Sequence, residues 1–298
     1  MPTDKITADA AGSWTLGDRT VRRLGFGSMR LTANPDRDVA VRVLRRAVEL
    51  GVNHIDTAAY YYSPLHVSEE EPGPVRYATE LIREALSPYP EDLVITTKVG
   101  FYGDPATGWH EATSAEALRS QVEENLRRLG RDHLDVVNLR IIRRPGRDSI
   151  AEPFGALAQM RQEGLIWHLG ISNVRVDHLD EAQAIAPVVC VQNGYSLDTG
   201  RTDDDFVRIC GERGVAFVPF FAIAGAGREE AATTAHSDAL LAVAAAHNAT
   251  PHQVRLAWTL HQGQHVLAIP GTGNPHHVED NIAAGALKLS ADELASLG

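Results

Sequence analysis

Short β-branched segments alternate with longer amphipathic segments along almost the whole chain, and this alternation constrains the possible folds more than any other feature. It is typical of parallel strands that are joined by helices. Eight segments have the composition of strands, namely residues 24–28, 52–56, 93–98, 134–140, 166–171, 188–192, 215–220 and 266–269. Because eight parallel strands close into a barrel, the sequence predicts an α/β protein with the (β/α)8 TIM barrel fold.

The segments between the strands carry the apolar spacing and the end signals of helices. Residues 38–50 place small and aliphatic side chains on one face and arginines on the other. In residues 114–129 apolar side chains recur every three or four positions. Thr113 and Glu116 predict a capping box at the start of this helix, and Gly130 predicts its end.

A separate element precedes the first barrel strand. Residues 13–23 consist of two short strand-like runs with Gly17 and Asp18 between them, which predicts an N-terminal β-hairpin. The length of 298 residues fits one large barrel, so we expect a single domain that spans residues 1–298.

Composition excludes several classes of function. The chain has 28 Lys and Arg against 39 Asp and Glu, a balance that repels the phosphates of nucleic acid. No apolar run approaches the roughly 20 residues of a membrane helix, and the first residues lack a signal-peptide pattern. Cys190 and Cys210 have no metal-type spacing, and the 13 histidines are scattered. These features predict a cytoplasmic protein with no metal site.

Reactive side chains stand where consecutive strands end. In a parallel barrel these ends share one rim, and that rim carries the active site. Asp56 ends the second predicted strand, Tyr61 follows five residues later, and Lys98 ends the third. A nearby ammonium lowers the pKa of a phenol, and a carboxylate keeps the ammonium in place, so this trio could donate a proton. Each residue alone could be a helix cap, a packed ring or a surface charge; together they indicate catalysis.

An ordered set of motifs carries a family resemblance. The motifs are Gly-Phe-Gly-Ser-Met-Arg at 25–30, Gly-Val-Asn-His-Ile-Asp-Thr-Ala at 51–58 followed by Tyr61, Thr97-Lys98, Gly-Ile-Ser-Asn at 170–173, Gln192, and Ile-Pro-Gly-Thr at 269–272 followed by 277–281. This set resembles the aldo-keto reductases from residue 24 to about residue 287. The sequence Val-Asn-Leu-Arg at 137–140 is similar to a bacterial branch with pyridoxal reductase-like members, which favours an aromatic or heterocyclic aldehyde as substrate.

The resemblance implies an oxidoreductase that reduces an aldehyde or ketone to an alcohol with NADP(H). Tyr61 would be the proton donor, tuned by Asp56 and Lys98. The implied cofactor-binding residues are Gly27, Ser28, Met29, Ser172, Asn173, Gln192, Phe220, Gly271, Thr272, Gly273, Asn274, His277, Asp280 and Asn281. The expected substrate-binding residues are Trp109, in the third loop at the rim, and Asn138, on the same face of the fourth strand as Arg140.

Two positions depart from the family pattern. The family has a catalytic His five residues after the Asp of the fourth strand, whereas counting from Asp135 leads to Arg140. Arg140 either faces the site and donates to the carbonyl oxygen or to an anionic group of the substrate, or it turns to solvent and leaves Asn138 inside. We favour the first and count Arg140 as the fourth catalytic residue. His277 stands where the family often has Arg, so NADP(H) is expected and NAD(H) remains an alternative.

The residues leave some alternatives open. A barrel that binds the cofactor and acts as a sensor or regulatory subunit, with little turnover, is the competing hypothesis, because Arg140 replaces the family His. The partners expected are a small carbonyl compound and, at most, copies of the same chain, as a monomer or small homo-oligomer. The loop 62–75 is either a lid or a solvated insertion. The third loop, with Phe101, Tyr102 and Trp109, and residues 143–147 and 223–236 are expected to complete the pocket wall.

Overall fold

The computed structural model describes residues 6–33, 36–63, 75–104, 108–142, 148–198, 201–223 and 236–298. Within them, seven strands form one sheet, and they are β3 (Phe26–Gly27), β4 (His54–Asp56), β7 (Val94–Val99), β10 (Leu134–Arg140), β11 (Ile166–Ser172), β12 (Val188–Gln192) and β13 (Ala216–Phe217). Their order in the sheet is β13-β12-β11-β10-β7-β4-β3, and every neighbouring pair is parallel. The α/β class and the parallel sheet agree with the sequence prediction.

The expected strand at 266–269 is present as an extended segment with isolated bridges. Val266 pairs in parallel with Phe217, and Ala268 pairs in parallel with Leu24. The amide of Phe217 donates to His265 at 2.9 Å, and the amide of Gly25 donates to Ala268 at 2.9 Å. One segment therefore hydrogen-bonds to both outer edges of the sheet. The regular pairing at 24–28 and 215–220 is shorter than predicted, because only two residues of each form a strand.

Helices follow the strands and pack on the outside of the sheet. In the described residues they are α1 (Arg37–Glu49), α2 (Ala78–Leu86), α3 (Ala115–Leu129), α4 (Ala151–Gln162), α5 (Val176–Ile185), α6 (Asp204–Glu212), α7 (Asp238–Ala246), α8 (Pro251–His261), α9 (Pro275–Ala283) and α10 (Ala291–Leu297). The predicted capping box at Thr113 is wrong by one position. Ser114 caps α3 by accepting from the amide of Ala117 at 3.2 Å, whereas Gly130 ends this helix as predicted. None of the described helices is long and apolar enough to cross a membrane.

The N-terminal hairpin closes one end of the sheet. It consists of β1 (Ser13–Leu16) and β2 (Arg19–Arg22), which pair antiparallel as the sequence predicted. Leu16 and Val21 are fully buried and pack with side chains of β7, β10 and β12. Just after the hairpin, the buried guanidinium of Arg23 donates to carbonyl oxygens of Ala11, Leu260, Gly263 and Val266. Because this end is filled, the opposite end of the strands is left for a site.

Two further hairpins lie in the connections that the sequence suggested were loops. β5 (Tyr62–Ser63) pairs with β6 (Arg76–Tyr77), and β8 (Phe101–Asp104) pairs with β9 (Gly108–Glu111). Residues 64–74 of the predicted lid, the segment 143–147 and residues 224–235 of the predicted wall lie outside the described residues. The β8–β9 hairpin matters for function because it carries aromatic residues to the open end of the sheet.

Candidate active site

A cavity of about 1150 Å³ opens at the carboxyl ends of the strands. Its volume is above the usual range for small-ligand pockets, roughly 300–1,000 Å³, which suits a dinucleotide together with a small substrate. Most of the residues that the sequence predicted for the site line it. These are Gly27, Met29, Asp56, Tyr61, Lys98, Trp109, Arg140, Asn173, Gln192, Phe220, Gly271, Thr272, Gly273, Asn274, His277, Asp280 and Asn281.

Three predicted contact residues lie behind the cavity wall instead of on it. Ser28, Asn138 and Ser172 are completely buried and are absent from the cavity lining. Burial raises the pKa of the Cys190 thiol to about 12, and this thiol donates to Oδ1 of Asn138 at 3.2 Å. Strand alternation placed Asn138 on the inner face of the sheet but could not give its depth, and the family resemblance that implied Ser28 and Ser172 gives no depth either.

A buried ion pair forms the floor of the cavity. Nζ of Lys98 lies 2.5 Å from Oδ1 of Asp56 and donates to the carbonyl oxygen of Thr57 at 3.0 Å. Nε2 of Gln192 donates to the other carboxylate oxygen, Oδ2 of Asp56, at 2.8 Å. The side chains of Lys98 and Asp56 are only 5% and 4% exposed. With both carboxylate oxygens engaged, the pair is held in one geometry.

Strand register explains why these side chains meet. Asp56 of β4 is opposite Thr96 of β7, so Lys98, two residues further, faces the same side just beyond it. Lys98 in turn is opposite Asn138 of β10, and Ser172 of β11 is opposite Gln192 of β12. The carboxyl ends of neighbouring strands therefore stay level around the sheet. The sequence predicted this meeting of side chains, because it placed polar residues at the ends of consecutive strands.

Tyr61 is the tyrosine that lies beside the ammonium. Nζ of Lys98 is 4.9 Å from the centroid of the Tyr61 ring, and Tyr61 lines the cavity. Burial raises the pKa of Tyr60 well above its usual range, so Tyr60 is a poor proton donor. The hydroxyl of Tyr62 donates to the carbonyl oxygen of Gly103 at 2.8 Å, outside the cavity lining. The structure thus separates three neighbouring tyrosines by environment.

Arg140 faces the cavity from the end of β10. Its Nη1 donates to Oγ of Ser172 at 3.2 Å, and its Cζ lies 4.9 Å from the centroid of the Phe220 ring. Over the described ranges of the chain, no carboxylate lies within ion-pair distance of this guanidinium. The outward-facing alternative for Arg140 does not match this placement.

Aromatic rings line one wall near Tyr61. Tyr60 contacts the edge of Tyr61 with ring centroids 5.4 Å apart, and it contacts Trp109 at 5.5 Å. Phe101 lies 6.4 Å from Tyr60 and 6.5 Å from Trp109. Phe101 and Trp109 come from the β8–β9 hairpin. Such rings offer a flat apolar surface to a ligand.

Two helix N-termini meet the cavity on another side. At α9, the side chain of Asn274 accepts from the amide of His276 at 3.0 Å, and at α8 Oγ1 of Thr250 accepts from the amide of Gln253 at 3.2 Å. Thr250, Gln253 and Asn274 all line the cavity. Helix N-termini attract anions through their free amides and the helix dipole. This side of the cavity can therefore hold phosphate groups.

One buried acceptor is left open on the cavity floor. Oε1 of Gln192 has no hydrogen-bond partner among the residues that the structure describes, although Gln192 is completely buried, and its Nε2 donates to Asp56. A ligand amide could satisfy this oxygen. Beside it, Asn173 lies at φ 60° and Phe221 at φ 70°, a conformation that is costly for residues other than glycine and that clusters at functional sites.

Some lining residues were missed by the sequence reasoning. They include Arg30, Tyr60, Ile142, Ala222, Thr250, His252 and Gln253. The Thr-Pro-x-Gln pattern at 250–253 signals a helix start, so α8 itself could have been found. Nothing local shows that this helix start faces the cavity. Among the residues that the structure describes, no group of three or more His, Cys, Asp or Glu is placed to hold a metal ion.

Comparison with known proteins agrees with this site. Residues 23–298 match the model of the aldo/keto reductase family. The chain belongs to the aldo/keto reductase family. This aldo/keto reductase is 42% identical to pyridoxine 4-dehydrogenase of Escherichia coli K12, over 97% of this chain and 98% of that protein. It is 34% identical to an uncharacterized oxidoreductase of Schizosaccharomyces pombe, over 98% of this chain and 90% of that protein.

Solved structures support the same assignment. An aldo/keto reductase from Klebsiella pneumoniae, solved in complex with NADP and acetate, is 26% identical, with a TM-score of 0.78 over 96% of this chain and 93% of that chain. The thermostable aldo-keto reductase Tm1743, solved with the inhibitor epalrestat, is 28% identical, with a TM-score of 0.76 over 96% and 98%. The family resemblance predicted from the motifs is confirmed.

Proposed function

We propose that this aldo/keto reductase is an NADP(H)-dependent oxidoreductase that interconverts an aldehyde or ketone and the corresponding alcohol. The observation that carries the proposal is the buried Asp56–Lys98 pair beside Tyr61 in a cavity large enough for a dinucleotide. The similarity to pyridoxine 4-dehydrogenase supports chemistry at a CH–OH group, and the NADP-bound relative supports the cofactor. We infer one domain, a (β/α)8 barrel whose eighth strand is the segment 266–268.

The residues of the cavity fit the cofactor. When bound, the reduced nicotinamide supplies the hydride. Oε1 of Gln192, open on the cavity floor, can accept from a carboxamide, and Phe220 offers a ring for stacking. Ser28 and Ser172 support this region from behind the wall.

The phosphate and adenosine portions fit the side formed by α9 and the segment before it. That side comprises Gly271, Thr272, Gly273, Asn274, His277, Asp280 and Asn281, and Gly27 and Met29 lie across from it in the same cavity. His277 is the residue that we assign to the additional phosphate of NADP(H). Because imidazole is a weaker anion ligand than guanidinium, NAD(H) stays the alternative cofactor.

Proton transfer is the task of the residues near β4 and β7. Tyr61 donates its phenolic proton to the substrate oxygen as the carbonyl becomes an alcohol. The ammonium of Lys98 stabilises the phenolate that remains, since opposite charge at short range favours the ionised form. Asp56 keeps Lys98 charged and in place, and Gln192 fixes Asp56. Arg140 supplies a fourth group at the reacting end of the cavity.

The substrate is a small carbonyl compound, and pyridoxal with its alcohol pyridoxine is the pair to test first. The relative's name supports this pair, and the aromatic wall of Tyr60, Phe101 and Trp109 suits a flat ring. The competing hypothesis of a sensor with little turnover has no support from the comparisons. We place the enzyme in the cytoplasm, since its two cysteines are free and buried. We expect a monomer or a small homo-oligomer.

The test is the oxidation of NADPH, followed by its absorbance with pyridoxal as substrate. Tyr61→Phe should lower kcat by about 10²–10⁴-fold, because the proton donor is lost, while the Kd for NADPH from protein fluorescence stays unchanged. Tyr62→Phe is the matched control, since its hydroxyl donates to Gly103 outside the cavity lining. Equal turnover in the two variants would refute Tyr61 as donor. NADPH binding without reduction of any carbonyl would favour the sensor.

A further inference from the structure

The charges at the reacting end of the cavity do not cancel. Lys98 and Gln192 each donate to one carboxylate oxygen of Asp56, and the charges of Asp56 and Lys98 cancel each other. Arg140 adds a positive charge, and its contacts are the neutral hydroxyl of Ser172 and the neutral ring of Phe220. In the parts of the chain that the structure describes, neither Asp56 nor the other lining carboxylate, Asp280, forms an ion pair with Arg140.

Arg140 belongs to the catalytic end of the cavity. Its strand β10 is the neighbour of β7, which carries Lys98. Nζ of Lys98 lies 4.9 Å from the centroid of the Tyr61 ring, and Arg140, two residues beyond the β10 partner of Lys98, lines the same cavity. The helix N-termini that suit phosphates belong to α8 and α9. The guanidinium is therefore available to the substrate.

A half-buried cation that lacks a counterion costs free energy unless a ligand supplies the missing charge. Guanidinium is planar and binds a carboxylate through two parallel hydrogen bonds. Phe220 stacks with it on one side and Ser172 accepts one N–H, which fixes its orientation. Such fixed geometry favours recognition of one anionic group at a defined position.

The wall beside Arg140 constrains the rest of the ligand. Tyr60, Phe101 and Trp109 form a cluster of three rings, with Ile142, just past the end of β10, also in the cavity lining. Trp109 is 42% exposed, so it borders the entrance. A ligand that fills this space has a flat apolar body and a negative charge directed at the end of β10.

We propose that the substrates of this reductase are aromatic aldehydes that carry an anionic oxygen group on the ring, and that Arg140 is the residue that selects them by pairing with that group. The inference rests on the proposed function, because it concerns the substrate of the same site. It gives Arg140 a role in specificity that is distinct from proton donation by Tyr61.

The experiment compares acids with esters of the same shape. The ortho, meta and para carboxybenzaldehydes and their methyl esters are reduced with NADPH, and kcat/KM is measured for each. We expect at least one acid to exceed its ester by about 10- to 100-fold, the range of a charge-assisted hydrogen bond. Arg140→Gln should bring the acid-to-ester ratio of kcat/KM to within about 3-fold of 1, because the charge-assisted hydrogen bond is lost, whatever the change in rate that the two compounds share. Arg140→Lys should restore part of the preference.

Arg42→Gln is the matched control. It removes the same charge from an exposed position of α1, where Arg42 is 60% exposed, so it reports any effect of net charge alone. This variant should keep the full preference for the acid. Binding of NADPH, measured by protein fluorescence, checks that each Arg140 variant is folded.

The outcomes separate the two proposals. If wild type reduces esters as well as acids, or if Arg140→Gln lowers both equally, Arg140 does not select an anion and the inference is overturned, while the reductase function stands. Equal loss would mean that Arg140 serves the carbonyl oxygen. If wild type reduces no carbonyl compound at all, the proposed function itself fails. Preference lost in Arg140→Gln and kept in Arg42→Gln supports the inference.

Discussion

Replacing Lys98 by methionine removes the positive half of the buried pair while it keeps a side chain of similar length. Asp56 would then be left 4% exposed, with Nε2 of Gln192 as its hydrogen-bond donor on one oxygen and no cation on the other. A buried charge without its partner is strongly destabilising. Lys98→Met should therefore lower both the stability of the fold and the rate of catalysis.

The size of the stability loss follows from the geometry. At 2.5 Å between Nζ of Lys98 and Oδ1 of Asp56, and with an effective dielectric constant of about 20, the attraction is roughly 7 kcal/mol. Part of this is offset by the cost of desolvating both ions. The net loss on removing one partner of a buried pair is about 3–5 kcal/mol. We expect a loss in this range for Lys98→Met.

A double-mutant cycle makes the measurement specific. The free energy of unfolding is measured by urea titration for wild type, Lys98→Met, Asp56→Asn and the double variant. Because the double variant has no uncompensated charge, it should be more stable than Lys98→Met alone. A coupling of about 2–3 kcal/mol is expected for two groups in direct contact. All three variants should lose activity, since Tyr61 loses its neighbouring ammonium or the group that positions it.

Two results would refute this reasoning. If the effects of Lys98→Met and Asp56→Asn simply add, the two groups are not coupled. If Lys98→Met is as stable as wild type, the pair is not the buried contact that holds the cavity floor. Activity data alone could not make this distinction, because both outcomes are compatible with a catalytic Lys98.

Three further predictions concern other buried or cavity-lining groups. Burial lowers the pKa of His54 to about 4. As pH falls below about 6.5, His54 is protonated in the unfolded chain before it is protonated in the folded protein. The free energy of unfolding should therefore drop by about 2 kcal/mol between about pH 7 and pH 5. Urea titration at both pH values checks this, and His54→Gln should remove the drop. His277→Arg should tighten NADPH binding by about 10-fold and leave NADH within about 2-fold, as fluorescence titration would show, because a guanidinium binds phosphate through two hydrogen bonds. Arg23→Met removes the guanidinium that donates to four carbonyl oxygens and should lower the free energy of unfolding by about 3 kcal/mol, against little change for the exposed Arg42→Met. A loss below about 0.5 kcal/mol for Arg23→Met would contradict a structural role for the hydrogen bonds that Arg23 donates.

Much of the fold could be predicted because a buried parallel strand has a local signature. The segments 134–140 and 188–192 form strands with the predicted bounds, since their β-branched runs end at polar residues. The β5–β6 and β8–β9 hairpins could not be predicted. Their strands are two to four residues long and contain glycine and charged residues, so their pairing depends on contacts with the rest of the chain.

The floor of the cavity was predictable for the same reason. Asp56 and Gln192 end their strands, Lys98 is the next-to-last residue of β7, and level strand ends bring the three together. The depth at which a side chain is buried was not predictable, as Asn138 shows. Strand alternation tells which face of the sheet a side chain lies on, but it does not tell whether the side chain reaches the cavity. The place of the start of helix α8 also required the three-dimensional structure, whereas the residues at the start of α9 were expected at the site from the family resemblance. The distance of α8 along the chain from β4 leaves no local sign that it borders the same cavity.

The orientation of Arg140 depends on a contact that no local pattern reports. Gly100 follows β7 and has φ +102°, a conformation that strongly favours glycine. A side-chain carbon at Gly100 would lie 2.4 Å from the carbonyl oxygen of Arg140, so only a glycine lets the two strand ends come this close. Arg140 lies two residues beyond Asn138, the partner of Lys98, and its guanidinium contacts Ser172 and Phe220. Strand register therefore brings Lys98 beside Asp56, whereas the glycine just after β7 lets the end of β10, with Arg140, come close to it.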